Sequence, residues 1–123
     1  MAESKRILGK RILLVEDDPE ARQSIKLLLA IDRHMVTEAA GGKPALDLLQ
    51  SQPFDLVLLD YFMPGMRGSQ LALHIRDLAP GLPIVMITAY AENLAAADKP
   101  VDAVIGKPFG LEVLRQAIAK VLS

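Results

Sequence analysis

Four short polar stretches could carry chemistry: Glu16-Asp17-Asp18, Asp60, Thr88 and Lys107-Pro108. Each stands at the end of an apolar run. Ile12-Leu13-Leu14-Val15 leads into Glu16, Phe54 to Leu59 into Asp60, Ile84-Val85-Met86-Ile87 into Thr88, and Val101 to Ile105 into Gly106-Lys107. If these runs are neighbouring parallel strands, their carboxyl ends share one edge of the sheet, where open α/β folds bind ligands. That edge then carries acids, a hydroxyl and an amine, a set suited to phosphoryl transfer. Glu16, Asp17 and Asp60 would crowd together, and like charges at such range either raise a pKa or recruit a cation. A hard, oxygen-seeking cation is the less costly solution. Magnesium suits it, because that ion takes one or two carboxylates and keeps waters that a phosphate can displace. Beside the ion, Asp60 is a candidate nucleophile, since a carboxylate can attack phosphorus to form an acyl phosphate. Lys107 can hold a phosphoryl oxygen as a point charge, and the Thr88 hydroxyl can donate to another. Lys107-Pro108 is also a bond that reaches the cis form at modest cost, in a turn that would fix the direction of the lysine.

Positioning these groups takes alternating strands and helices. Leucine-rich and β-branched runs alternate with stretches of helical apolar spacing, an order that predicts a parallel sheet with crossover helices. Strands are expected near 11–16, 34–38, 55–59, 83–87 and 101–105, and helices near 18–30, 43–51, 68–78, 91–97 and 110–122. Ala21, Ile25, Leu28 and Leu29 form the core stripe of the first helix; Leu111, Leu114, Ile118 and Val121 form that of the last. Asp18 reads as an N-cap with Pro19 at the first helical position. Asp55 reads as a structural strand-entry residue. His34 and His74 are expected on the surface, and Met63, Met66 and Met86 as packing.

Composition narrows the class. At 123 residues, 51% of them hydrophobic, the chain can bury one core, so a single domain over 10–123 is expected behind a flexible leader over 1–9. Lys and Arg number 14 against 15 Asp and Glu, a formal charge of -1 without a basic block, which argues against direct nucleic-acid binding. Cysteine is absent, which removes disulfides and thiolate chemistry and fits a reducing, cytoplasmic setting. No apolar segment approaches the roughly 20 residues needed to cross a bilayer, and the first residues lack a signal-peptide core, so neither membrane insertion nor export is expected.

Four segments in order make the chain resemble a response-regulator receiver domain of two-component signalling, from Arg11 to about Leu122. They are Ile12-Leu-Leu-Val-Glu16-Asp17-Asp18-Pro19, Asp55-Leu-Val-Leu-Leu-Asp60-Tyr-Phe-Met63-Pro64-Gly-Met-Arg-Gly68, Ile87-Thr88-Ala89 and Lys107-Pro108-Phe109. The resemblance implies a flavodoxin-like, doubly wound (βα)5 sandwich of three layers, with parallel strand order 2-1-3-4-5. It implies phosphoryl transfer to Asp60 from a phosphohistidine on a sensor histidine kinase or a histidine phosphotransfer protein. By the same match, Asp17, Asp60 and the backbone carbonyl of Phe62 ligate Mg2+, with Mn2+ able to substitute, and Glu16 acts through a water. Thr88 and Lys107 complete the catalytic set. Family members then signal to a downstream protein partner through the fourth helix, fifth strand and fifth helix, as the residue at Thr88 moves inward and an aromatic three positions before the lysine follows.

The chain departs from that pattern at the output. Val104 stands three positions before Lys107, where the aromatic is expected, and only 19 positions separate Thr88 from Lys107. A short fourth helix, or a partly disordered one, ended by Pro100, is the expected consequence. Two other functions compete with a phosphorylatable receiver. A magnesium-dependent aspartyl-phosphate phosphatase would want a second acid two residues after the nucleophile, where Phe62 stands. A pseudo-receiver signalling by dimerisation alone would account for Val104. The lead-in Leu8 to Leu14 resembles that of receivers at the ends of hybrid kinases, whereas Met1 favours a free start.

Overall fold

The computed structural model describes residues 6–89 and 100–123. Its elements are β1 (Arg11–Val15), α1 (Pro19–Ile31), β2 (Met35–Ala39), α2 (Gly42–Ser51), β3 (Leu56–Asp60), α3 (Gly68–Leu78), β4 (Ile84–Thr88), β5 (Ala103–Gly106) and α4 (Leu111–Leu122). All five strands are parallel, in the order β2-β1-β3-β4-β5. The expected fold is therefore observed. The helix expected near 91–97, with its shortening, lies outside the described residues.

Strand pleating explains the layers. Successive side chains point to opposite faces, so Leu13, Val15, Val57, Leu59, Ile84 and Met86 face Ala45 of α2 and Leu71, Ala72 and Ile75 of α3. The alternate set, Ile12, Leu14, Leu56, Leu58, Val85, Ile87 and Ile105, faces Ile25 and Leu29 of α1 and Leu114 and Ile118 of α4. Every residue of β3 and β4 is buried, which is why these runs read as continuous apolar stretches without alternation. Burying each large side chain is worth about 1.5–3 kcal/mol, so each face of the sheet needs its helical cover.

Local chemistry sets the boundaries. The Asp18 carboxylate accepts from the Ala21 N–H at 3.0 Å, capping α1 with Pro19 in its first turn. Asp55 does the structural work expected of it, accepting from the Arg11 N–H at 2.8 Å and pairing with its guanidinium at 2.9 Å. That contact holds its carboxyl at about 2.

The turn after α1 corrects one expectation. His34 is not on the surface but only 8% exposed; its Nδ1 accepts from the Lys10 N–H at 3.0 Å, and its Nε2 has no hydrogen-bond partner among the described residues. Burial pushes its pKa down. The reason is tertiary: the stretch before β1 lies across this turn and covers the ring. Asp32, in the same turn, is buried and gripped by Arg115 of α4, with Nε and Nη2 at 2.9 and 3.0 Å, and by Arg6 at 2.7 Å. The Gly9 N–H also donates to the Asp32 carbonyl at 3.0 Å. Over 6–9, then, the expected leader makes specific contacts. His74 is exposed, as expected.

Candidate functional site

In this strand order the chain runs from β1 outward to β2, then crosses back to β3 on the other side of β1. The reversal leaves a crevice beyond the carboxyl ends of β1 and β3. Glu16 and Asp17 follow β1 directly, and Asp60 is the last residue of β3. One carboxylate oxygen from each of the three lies within 4.8 Å of the others. Glu16 and Asp60 are 2% and 6% exposed, while Asp17 is half-buried.

Lys107 closes the crevice from β5. Its Nζ lies 3.1 Å from Glu16 Oε1 and 3.2 Å from Asp60 Oδ1. The Lys107 N–H donates to the Thr88 carbonyl at 2.8 Å, which ties the lysine to the end of β4, and the Lys107–Pro108 peptide is cis. Thr88 is 1% exposed, one register step beyond the Asp60–Ile87 pair. The structure thus brings Glu16, Asp17, Asp60, Thr88 and Lys107 to one edge, with Phe62 two residues past Asp60.

Electrostatics follow from burial. Desolvation pushes the Asp60 carboxyl up; Lys107 opposes it, and the Asp17 charge adds to it. Desolvation likewise raises Glu16 against the pull of the Asp18 N–H and Lys107. For Lys107, burial alone would lower the pKa, but the bond to Glu16 and the attraction of Asp60 outweigh it and the amine is held above its ordinary value. A fixed ammonium therefore faces acids that burial makes reluctant to ionise. A divalent cation among the carboxylates would relieve their mutual repulsion, and an all-oxygen donor set fits magnesium rather than a thiolate-seeking metal.

The loop from Asp60 to α3 is pinned at both ends. The Tyr61 N–H donates to the Ile87 carbonyl at 2.9 Å, and the Gly68 N–H to the Tyr61 carbonyl at 2.8 Å. Gly68 has no room for a side chain: a Cβ there would meet the Asp60 carbonyl oxygen at 2.5 Å and Tyr61 Cα at 2.8 Å. Met63 is buried and Met66 packs on the core, the packing roles expected of them. In the sequence Gly68 stands out only as part of a motif, and Arg67 carries no evident role. The signal available for Gly68 was a glycine at a helix start close behind a site residue, which marks close backbone approach. Nothing in the sequence announced the Lys107–Glu16 pair, whose members stand 91 positions apart.

This geometry has relatives. The family described as the response regulator receiver domain matches residues 12–119. The response regulator receiver protein CpdR of Brucella abortus is 40% identical over 116 residues, spanning 92% of this chain and 97% of that protein. The response regulator MprA of Mycolicibacterium vanbaalenii is 37% identical over 107 residues, 85% of this chain, but the match spans only 46% of MprA. Among solved structures, the response regulator protein TrrA of Thermotoga maritima, in complex with Mg(2+)-BeF, superposes with a TM-score of 0.85 at 32% identity, covering 92% of this chain and 99% of that one. TrrA in complex with the histidine kinase ThkA gives 0.84 at 33% identity, covering 93% and 99%. No helix among the described residues is long and apolar enough to cross a membrane. Strand order, the acid cluster at the switch point and sequence identity over nearly the whole chain converge: this protein belongs to the response regulator receiver domain family of two-component systems.

Proposed function

We propose that the chain is a phosphoacceptor of a two-component or phosphorelay pathway, acting in the cytoplasm, with Asp60 as the acceptor. The donor is a phosphohistidine on a sensor histidine kinase or a histidine phosphotransfer protein. An Asp60 carboxylate oxygen attacks phosphorus, the P–N bond breaks, and its electron pair leaves with the imidazole nitrogen, giving an acyl phosphate. One observation carries the reading: an ammonium within 3.2 Å of a buried carboxylate, with two more acids alongside, at the switch point of the sheet. The same fold in TrrA, which was crystallised with Mg(2+)-BeF and with a histidine kinase, supports it.

Asp17, Asp60 and the Phe62 carbonyl would hold Mg2+, with Glu16 acting through a water; Mn2+ has the same preference for oxygen ligands. The bound ion supplies positive charge to the entering phosphoryl oxygens. Lys107 lowers the cost of ionising Asp60 and then holds a phosphoryl oxygen, trading part of its contact with the carboxylates for it. Thr88 offers a hydroxyl donor to another. The signal then passes to a protein partner by conformational change. As a signalling domain, the chain acts by holding the phosphoryl group rather than by turning over a substrate, and Phe62 in place of a second acid speaks against the phosphatase chemistry.

Intact-mass spectrometry after treatment with acetyl phosphate and Mg2+ tests the assignment. Wild type gains one phosphoryl group and Asp60→Asn gains none, the substitution removing the nucleophile at nearly constant volume. A phosphate-sized mass increase on the variant would mean that another residue is the acceptor.

A further inference from the structure

We infer that Arg67 is a positioning residue for the metal site: its guanidinium, 5.5 Å above the Phe62 ring, holds the residue whose backbone carbonyl completes the ligand set. The inference rests on the reading of the site given above. Phe62 lies between two pinned points. Asp60 is fixed at the end of a buried strand, and Gly68 is wedged against the Asp60 carbonyl. Between them the loop turns through Gly65, at φ +87°, and buries Met63 in the core, with Tyr61 and Met66 packed against it. Phe62 lies at the surface. It is 47% exposed, so the core does not set its torsions.

Among the described residues, two ring contacts bear on them. Tyr61 meets the Phe62 ring edge-on, with centroids 4.8 Å apart and planes at 88°, and Arg67 covers a face. Arg67 is itself held: its N–H donates to Gln70 Oε1 at 2.9 Å, and its carbonyl accepts the Leu71 N–H of α3 at 3.0 Å. The clamp therefore runs from the first turn of α3 across the mouth of the loop to Phe62. A ring fixed at its face and edge restrains the φ and ψ of its residue, and with them the direction of the carbonyl. Freeing the ring loosens that restraint on the carbonyl, and the ion would then lose an oriented ligand.

The test separates positioning from simple charge. Arg67→Met removes the cation, and if Arg67 acted only by repelling a metal ion, Mg2+ would bind tighter. Positioning predicts the reverse, an affinity weaker by about threefold, the size expected of an exposed cation–π contact. Mg2+ titrations of wild type, Arg67→Met, Arg67→Lys, Phe62→Leu and Phe62→Leu/Arg67→Met, read from amide chemical shifts at Asp17 and Asp60, give the comparison. Arg67→Lys should recover most of the affinity, and Arg67→Met should have no further effect once Phe62 is leucine. In the metal-free protein, Arg67→Met should shift the Phe62 ring protons while leaving the buried signals of β3 in place. Tighter or unchanged binding in Arg67→Met, or an equal effect in the Phe62→Leu background, overturns the inference and leaves Asp60 as acceptor untouched. Absence of Mg2+ binding by the wild type overturns both.

Discussion

Replacing Asp32 with Asn should remove a stabilising contribution that has its own pH signature. The carboxylate is 4% exposed and receives two bonds from Arg115 and one from Arg6. Arg115 is the main cause of a carboxyl held at about 2 against an ordinary 3.8. Lowering a carboxyl by that much favours the folded state by about 2 kcal/mol at neutral pH. The unfolded state binds the proton first as pH falls. The contribution is therefore whole above 3.8, shrinks between 3.8 and about 2, and is gone below that. Urea unfolding suits the measurement and should be followed by circular dichroism, because the chain has no tryptophan. At pH 7 the Asn variant should be less stable by about 2 kcal/mol, and the gap should narrow steadily as the titration is taken down toward pH 3. Asp55 also titrates low, but it is present in both proteins and cancels in the difference. A gap that stays constant across the acid range would refute the reasoning, since the loss would then come from shape or packing and not from the charge.

His34, held neutral by burial, should make the domain lose stability as pH falls below 6.5, where the unfolded chain takes the proton and the folded one resists it. His34→Asn, whose Oδ1 can accept the Lys10 N–H in place of Nδ1, should flatten that part of the stability-against-pH curve; an unchanged curve would assign it elsewhere. Gly68→Ala should cost about 1–3 kcal/mol by overpacking against the Asp60 carbonyl, read as a lower Tm, and an unchanged Tm would mean the loop yields freely. Lys107→Ala should still accept a phosphoryl group yet fail to change conformation. A full wild-type pattern of amide shift changes with a phosphoryl mimic would show that the lysine is not the clamp.

What could be read from the sequence was local or periodic. Apolar runs such as Leu56 to Leu59 mark buried strands by themselves, and Asp18-Pro19 announces a helix start from adjacent residues. The acids, Thr88 and Lys107 were legible because each ends such a run, and parallel strands bring their carboxyl ends together. Asp32 and His34 were not. Their burial depends on Arg115, 83 positions away, and on the chain before β1, and no periodicity records either. A histidine beside charged residues reads as surface until a distant segment is laid over it. The Arg67–Phe62 contact escaped for a related reason, since a turn with a left-handed glycine can direct its side chains in several ways and only the folded loop selects one.

Asp60 closes the strand at the centre of the sheet, hydrogen-bonded to neighbours on both sides and buried throughout. Amides in such a strand become open to solvent exchange only when the whole domain comes apart. Asp17 and Lys107 sit instead on the segments that leave β1 and β5, where brief local openings are less costly. The crevice therefore has two lifetimes. The Asp60 carboxylate keeps its place as long as the fold does, while the segments that carry Asp17 and Lys107 can open many times within that span, so on the function proposed above a metal ion would exchange and a donor would enter without Asp60 leaving its place.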